Sequence, residues 1–182
     1  MRISINKAHF PVTVLGPGRR LAIWFQGCSI GCAGCVSQDT WNPGTPEAGG
    51  DTWIEVEDVL SWAEELGDEI EGVTISGGEP FDQPEALEAL LTGLDGWRTR
   101  RRTPEVDFLV YSGYSTARLQ RLHPQVLARA DTVITGPYLQ RRPTDLVWRG
   151  SANQEIVALS ALGERVYGPH RQRRADRSRL QA

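Results

Sequence analysis

The chain has 182 residues, enough for one domain with a full hydrophobic core. Hydrophobic residues make up 40% and charged residues 24%, which is typical of a folded globular protein, and the net charge of −3 argues against a general affinity for nucleic acid. No apolar run approaches the roughly twenty residues of a membrane span, and the N-terminus lacks the apolar segment of a signal peptide. We therefore expect a cytoplasmic protein that binds neither membrane nor nucleic acid.

Short apolar runs alternate with glycine-marked loops and helical patterns along the chain. Apolar and β-branched runs predict strands at 20–25, 72–76, 106–111 and 131–134, with a short edge strand at 3–5. Helical spacing of apolar residues predicts helices at 56–66, 84–91, 116–122 and 125–130. The arginine-rich run 98–104 is predicted to be a solvated loop, and 146–157 an extended closing segment. A repeated order of strand, loop and helix indicates a parallel α/β sheet with right-handed crossovers.

All three cysteines lie in one short loop directly after the first apolar run. Cys28, Cys32 and Cys35 have the spacing C-x3-C-x2-C, and small residues between them let the loop wrap around a single object. A four-iron cluster normally takes four thiolates, one per iron, so three cysteines leave one iron open. A zinc site with a histidine such as His9 or His123 as fourth ligand is an alternative on spacing alone. Three buried cysteines that act only as small apolar side chains are a further alternative.

A second glycine-marked loop follows the strand predicted at 72–76. Gly77 and Gly78 let the backbone approach a ligand closely, and Glu79 is able to accept a hydrogen bond from a cationic amino group. The carboxyl ends of parallel strands lie at one edge of a sheet, where α/β folds bind ligands. We therefore expect this loop beside the cysteines, although such a sequence alone is more often an ordinary turn.

Together the two loops resemble the radical S-adenosylmethionine (SAM) superfamily. The stretches 111–114, 135–138 and 148–154 are similar to one branch of it, the activating proteins of anaerobic ribonucleotide reductases, and the resemblance runs from Val14 to about Val157. It implies an α/β fold, an incomplete parallel (β/α) barrel of the radical SAM type, as a single domain over 1–163 with the cluster loop at 28–35. The arginine-rich residues 164–182 are expected to be a basic, disordered tail.

The resemblance also implies the site and its cofactors. One 4Fe-4S cluster would be held by the three cysteines, with SAM on the open iron. The positions that match the family's SAM contacts are Gly34, Cys35, Val36, Gly77, Gly78 and Glu79. Val36 stands where the family often has an aromatic residue.

The implied reaction is reductive cleavage of SAM to a 5′-deoxyadenosyl radical. In the family that radical removes hydrogen from a glycine on the catalytic subunit of the reductase, and we expect a flavodoxin- or ferredoxin-type electron donor. The alternative within the superfamily is an enzyme of similar size that acts on another protein, a peptide or a small molecule. The alternative from another class is a non-catalytic protein that uses iron–sulfur or zinc as a structural clip.

Overall fold

An open seven-stranded sheet forms the centre of the computed structural model, which describes residues 1–43, 53–101 and 105–175. The strands are β1 (Arg2–Val12), β2 (Arg20–Phe25), β3 (Trp53–Glu55), β4 (Gly72–Gly77), β5 (Asp107–Ser112), β6 (Thr132–Thr135) and β7 (Glu155–Ala158). Their order across the sheet is β3-β1-β2-β4-β5-β6-β7. The four strands β2, β4, β5 and β6 run parallel, whereas β1 and β7 pair antiparallel to them. Within the described residues β3 and β7 stay unpaired with each other, so the predicted α/β class and incomplete barrel are confirmed.

The edges of the sheet differ from the sequence-based expectation. The segment predicted as a short edge strand at 3–5 extends over all of β1, and β3 pairs with its outer side. β1 and β7 add antiparallel neighbours on either side of the parallel strands. The pairing of β1 with β3 joins residues about fifty positions apart, such as Arg2 and Glu55, which periodicity does not reveal.

Helices follow the strands in the predicted order. They are α1 (Val56–Leu66), α2 (Pro84–Arg100), α3 (Thr116–Leu122), α4 (Pro124–Leu127) and α5 (Ala161–Tyr167). α1 has the predicted bounds and begins with a capping box between Glu55 and Asp58. None of the helices in the described ranges is long and apolar enough to cross a membrane.

The prediction of a solvated arginine loop at 98–104 is wrong for its first part, because α2 continues to Arg100. Gly93 does not end the helix; the absence of a side chain there lets Leu60 of α1 pack directly against α2. Arg98 donates to Asp131 at 2.6 Å and lies 4.1 Å from the ring centre of Phe108, so its guanidinium is held within the fold. Residues 102–104 lie outside the described residues.

The two faces of the sheet are packed differently. The larger apolar core lies between the sheet and the helices, with fully buried residues such as Leu87 and Leu90 of α2. On the concave face, Arg20 and Asp107 form an ion pair of 2.8 Å whose side chains are both at most 3% exposed. The Tyr167 hydroxyl of α5 donates to the same carboxylate at 2.7 Å. This polar cluster lies beside a smaller apolar cluster that contains Tyr167, Leu109 and Ile134.

The chain beyond Gly163 departs from the expectation of a disordered tail. α5 continues to Tyr167, whose side chain is fully buried, and the backbone N–H of Val147 donates to Arg173 at 3.0 Å. Arg174 pairs with Asp145 at 2.7 Å. Arginine-rich composition suggested disorder, but one buried aromatic side chain and ion pairs to distant residues hold residues 164–175. Residues 176–182 of the predicted tail lie outside the described residues.

Candidate active site at the carboxyl ends of the parallel strands

One open cleft lies where the four parallel strands end. Its lining takes residues from the loops after β2, β4, β5 and β6 and from the segment before β7. The lining residues are Cys28, Ile30, Cys32, Cys35, Trp41, Ser76, Gly77, Gly78, Glu79, Tyr111, Ser112, Gly113, Gly136, Tyr138 and Gln154. The structure therefore brings together the two loops that the sequence singled out.

Backbone hydrogen bonds join the start of the cysteine loop to the chain that follows the loop. The N–H of Gly27 donates to the carbonyl of Thr40 at 2.7 Å, and the N–H of Cys28 donates to that of Trp41 at 3.0 Å. The buried amide of Gln26 donates to two further carbonyls of the returning chain, at residues 39 and 42. These bonds fix both ends of the loop, so the three cysteines are carried on a closed ring of backbone.

The three thiols are unpaired and share one environment. The N–H of Ser37 donates to Cys35 Sγ at 3.4 Å, the kind of backbone bond that stabilises a thiolate. Burial raises the pKa of the Cys32 thiol, and the nearby Cys35 and Cys28 raise it further, while a backbone hydrogen bond from Tyr138 opposes the shift. Deprotonation of the Cys32 thiol is therefore less favourable than that of an ordinary cysteine.

The donor set does not suit a single zinc ion. Among the described residues, no three His, Cys, Asp or Glu side chains come together as a site for one metal ion. His9 is exposed on β1, and His123 packs its ring 5.6 Å from that of Phe81, so neither lines the cleft. A zinc ion with bonds of about 2.3 Å needs its sulfur ligands close together and a fourth ligand. An iron–sulfur cluster instead binds each thiolate to a different iron, which matches three cysteines spaced around one cleft.

The loop after β4 packs directly on the backbone of the cysteine loop. The N–H of Gly78 donates to the Phe25 carbonyl at 2.9 Å, and that of Glu79 donates to the Gly27 carbonyl at 2.8 Å. A Cβ on Gly78 would collide with the Gly27 carbonyl, and Gly77 has a φ of 106°, which few other residues adopt. The glycine pair is thus required by backbone packing beside Cys28, whatever ligand the loop binds.

Glu79 joins this loop to the next strand. Its side chain is fully buried, and its carboxylate accepts hydrogen bonds from Ser112 Oγ at 2.8 Å, Gly113 N at 2.7 Å and Phe81 N at 3.1 Å. Burial raises the pKa of Glu79 to about 7, and the three donors only partly offset this effect. Both carboxylate oxygens therefore have partners inside the protein, and the side chain links the loop after β4 to the loop after β5.

A second set of hydrogen bonds between loops of the cleft was not predicted from the sequence. Asp82 accepts from the N–H of Ser29 at 2.7 Å and from the Tyr114 hydroxyl at 2.6 Å, and Ser29 Oγ lies 2.8 Å from that hydroxyl. The three side chains tie the cysteine loop to the loops after β4 and β5. Each is an ordinary loop residue in sequence, and no local pattern pairs residues that are 32 to 85 positions apart.

The far wall of the cleft is held by two side-chain amides. Gln154 accepts from the N–H of Gly150 at 2.7 Å and donates to the Gly136 carbonyl at 3.0 Å. Asn153 donates to the Pro137 carbonyl at 2.8 Å. The contacts of these amides could not be predicted from the sequence; they fix the segment after β6 against the segment before β7.

Two of the predicted SAM contacts lie outside the cleft lining. Val36 is 95% exposed, and Gly34, with a φ of 76°, packs against the side chain of Gln140. Cys35, Gly77, Gly78 and Glu79 do line the cleft. The structure therefore places four of the six predicted SAM positions together.

Comparison with known proteins identifies the family of the chain. The family model of the 4Fe-4S single cluster domain matches residues 14–157, which gives the class of protein to which the chain belongs. The anaerobic ribonucleoside-triphosphate reductase-activating protein of Haemophilus influenzae is 31% identical, and the match covers 81% of this chain and 94% of the relative. The protein of the same name from enterobacteria phage T4 is 33% identical, and the match covers 79% of this chain and 86% of the relative. The crystal structure of QueE from Escherichia coli has a TM-score of 0.48 and 22% identity, over 62% of this chain and 53% of that one. The chain belongs to the family of anaerobic ribonucleoside-triphosphate reductase-activating proteins.

Proposed function

We propose that this protein is a radical SAM activating enzyme that generates a glycyl radical on the catalytic subunit of an anaerobic ribonucleotide reductase. The observation that carries the proposal is the meeting of three thiols and the Gly77–Glu79 loop in one open cleft at the ends of parallel strands. The family to which the chain belongs supports the same activity.

Cys28, Cys32 and Cys35 are assigned as the ligands of one 4Fe-4S cluster. The chain has no fourth cysteine, so one iron remains open for SAM. When bound, the cluster and SAM supply the one-electron chemistry that removes a hydrogen atom from a glycine Cα of the partner. The protein's own part is to hold the thiolates and to donate from Ser37 N–H to the Cys35 sulfur.

SAM is assigned to the cleft floor between the cysteines and the loop after β4. Gly77 and Gly78 expose backbone groups there, and Cys35 borders the same space. The Tyr111 side chain lines the cleft, and its buried hydroxyl has no hydrogen-bond partner within the described residues. Glu79 contributes by fixing the loop, since its oxygens already accept three hydrogen bonds.

The open cleft suits a substrate that is part of another protein. A glycine on a partner's loop would enter between the cysteine loop and the segment after β6. The electron is proposed to come from a flavodoxin- or ferredoxin-type protein. The three unpaired thiols fit a reducing compartment such as the cytoplasm.

Anaerobic reconstitution with iron and sulfide, followed by electron paramagnetic resonance of the dithionite-reduced protein, tests this proposal. We expect a four-iron signal that changes when SAM is added, together with formation of 5′-deoxyadenosine. Cys32→Ala, which lacks one assigned ligand, is the matched control and should give neither. A cluster that is indifferent to SAM, or zinc without a cluster, would overturn the assignment and leave a structural metal site.

A further inference from the structure

Arginines without protein partners are concentrated at one edge of the molecule. In the described part of the chain, four arginines have neither an ion pair nor a hydrogen bond from the guanidinium group: Arg118, Arg121, Arg141 and Arg142. All four are exposed. Arg118 lies in the first turn of α3, directly after β5, whereas Arg121 lies at the far end of that helix. Arg141 and Arg142 lie in the turn after β6, so these two and Arg118 are near the strand ends that carry the cleft. In a chain of net charge −3, this edge therefore carries unneutralised positive charge.

Arg118 is held beside the cysteine loop. Its guanidinium lies 3.8 Å from the ring centre of Tyr114, a cation–π contact, and the Tyr114 hydroxyl is 2.8 Å from Ser29 Oγ in the cysteine loop. Arg118 also lines a shallow groove with Ile30 and Pro137. The charge is thus positioned next to the first half of the loop.

Arg141 and Arg142 lie beside the second half of the loop. Their turn is closed by a bond of 2.8 Å from the N–H of Arg142 to the Leu139 carbonyl. The preceding residue, Gln140, packs against Gly34, where a Cβ would lie 2.8 Å from its side-chain oxygen. The two arginines therefore directly follow a residue that contacts the second half of the loop.

Two exposed apolar side chains belong to the same surface. Val36 is 95% exposed at the end of the cysteine loop, and Leu139 is 40% exposed in the neighbouring turn. Large apolar side chains that point into solvent mark contact sites when they cluster within a charged rim. We name the surface formed by Val36, Leu139, Arg118, Arg141 and Arg142 the loop face.

We propose that the loop face docks an acidic electron-donating protein. The proposal rests on the proposed function, because one electron must pass from the donor, which is oxidised, to the cluster, which is reduced. The loop face adjoins the residues assigned to the cluster, because Val36 directly follows Cys35 and Gln140, next to Arg141, packs against Gly34. None of the five loop-face residues lines the cleft, which remains available to the substrate. Small surfaces with complementary charge suit redox partners, whose encounters are brief, fast and sensitive to salt.

Charge reversal tests the loop face with a purified acidic flavodoxin as the probe. The variant is Arg141→Glu/Arg142→Glu, and the control with the same change in net charge is Arg129→Glu/Arg165→Glu, at the other end of the sheet. For each reconstituted protein, the rate of 5′-deoxyadenosine formation is measured once with photoreduced flavodoxin and once with dithionite as the reductant. The ratio of the flavodoxin rate to the dithionite rate reports how well the donor delivers its electron. Binding of oxidised flavodoxin is measured separately, from its flavin fluorescence, at increasing NaCl concentration.

We expect the variant to lower this ratio and the flavodoxin affinity about tenfold, and to weaken the salt dependence of binding, while the control keeps wild-type values. An unchanged ratio and affinity would overturn the proposal. A variant that keeps its ratio but yields less glycyl radical on the reductase would assign the face to the reductase instead. Failure of the proposed function is distinguishable, because wild-type protein would then form no 5′-deoxyadenosine even with dithionite.

Discussion

The buried carboxyl group of Glu79 should make the stability of the protein depend on pH in a defined direction. Burial raises its pKa from the ordinary 4.5 to about 7. Between these values the folded protein holds a proton that the unfolded chain has released, so the free energy of unfolding falls as pH rises. At about 1.4 kcal/mol for each pH unit, this loss amounts to about 3 kcal/mol across the window.

Urea unfolding of the cluster-free protein at pH 5 and pH 8, compared with Glu79→Gln, isolates this contribution. Glutamine has no charge at either pH, so the other titrating groups cancel in the difference between the two proteins. We expect wild type to lose about 2 to 3 kcal/mol relative to Glu79→Gln between pH 5 and pH 8. A constant difference would refute the raised pKa, and a change of opposite sign would show that the three hydrogen bonds outweigh burial.

Three further changes test other parts of the structure. Cys32→Ala should abolish stable cluster assembly, seen as loss of visible absorbance after reconstitution; a full four-iron spectrum would contradict its role. Asp107→Asn should lower the free energy of unfolding by about 3 kcal/mol or more, because it leaves the Arg20 charge buried without its counter-charge; urea unfolding with a loss below about 1 kcal/mol would contradict this. Gly78→Ala should reduce the cluster content as well as SAM affinity, because the new methyl group collides with the Gly27 carbonyl beside the cysteines; iron analysis showing full occupancy would refute that coupling.

Local sequence features predicted the parts of the site that depend on local geometry. The spacing of Cys28, Cys32 and Cys35 and the glycines after β4 indicated one ligand site at the strand ends, and the cleft contains both loops. The role of Glu79 differed from the expectation, since the sequence suggested an acceptor for a ligand and the structure shows a carboxylate with three partners inside the protein. The difference arises because hydrogen bonds between loops that are distant in the chain produce no recognisable sequence pattern.

The same limit explains the differences in the fold. α1 was predicted with its observed bounds because apolar spacing and the acidic first turn are local. α2 runs past its predicted end because Gly93 allows close packing with α1, a tertiary effect that outweighs the low helix propensity of glycine. The segment beyond Gly163 looked disordered by composition, yet Tyr167 is buried against the Arg20–Asp107 pair.

The most direct test of the proposed activity is electron paramagnetic resonance of a reductase catalytic subunit incubated anaerobically with this protein, SAM and a reductant. We predict a glycyl radical signal on the subunit whose doublet splitting collapses when its glycines carry deuterium at the α-carbon. The signal should require SAM and be absent with Cys32→Ala. SAM cleavage to 5′-deoxyadenosine without any glycyl radical on the reductase would contradict the account.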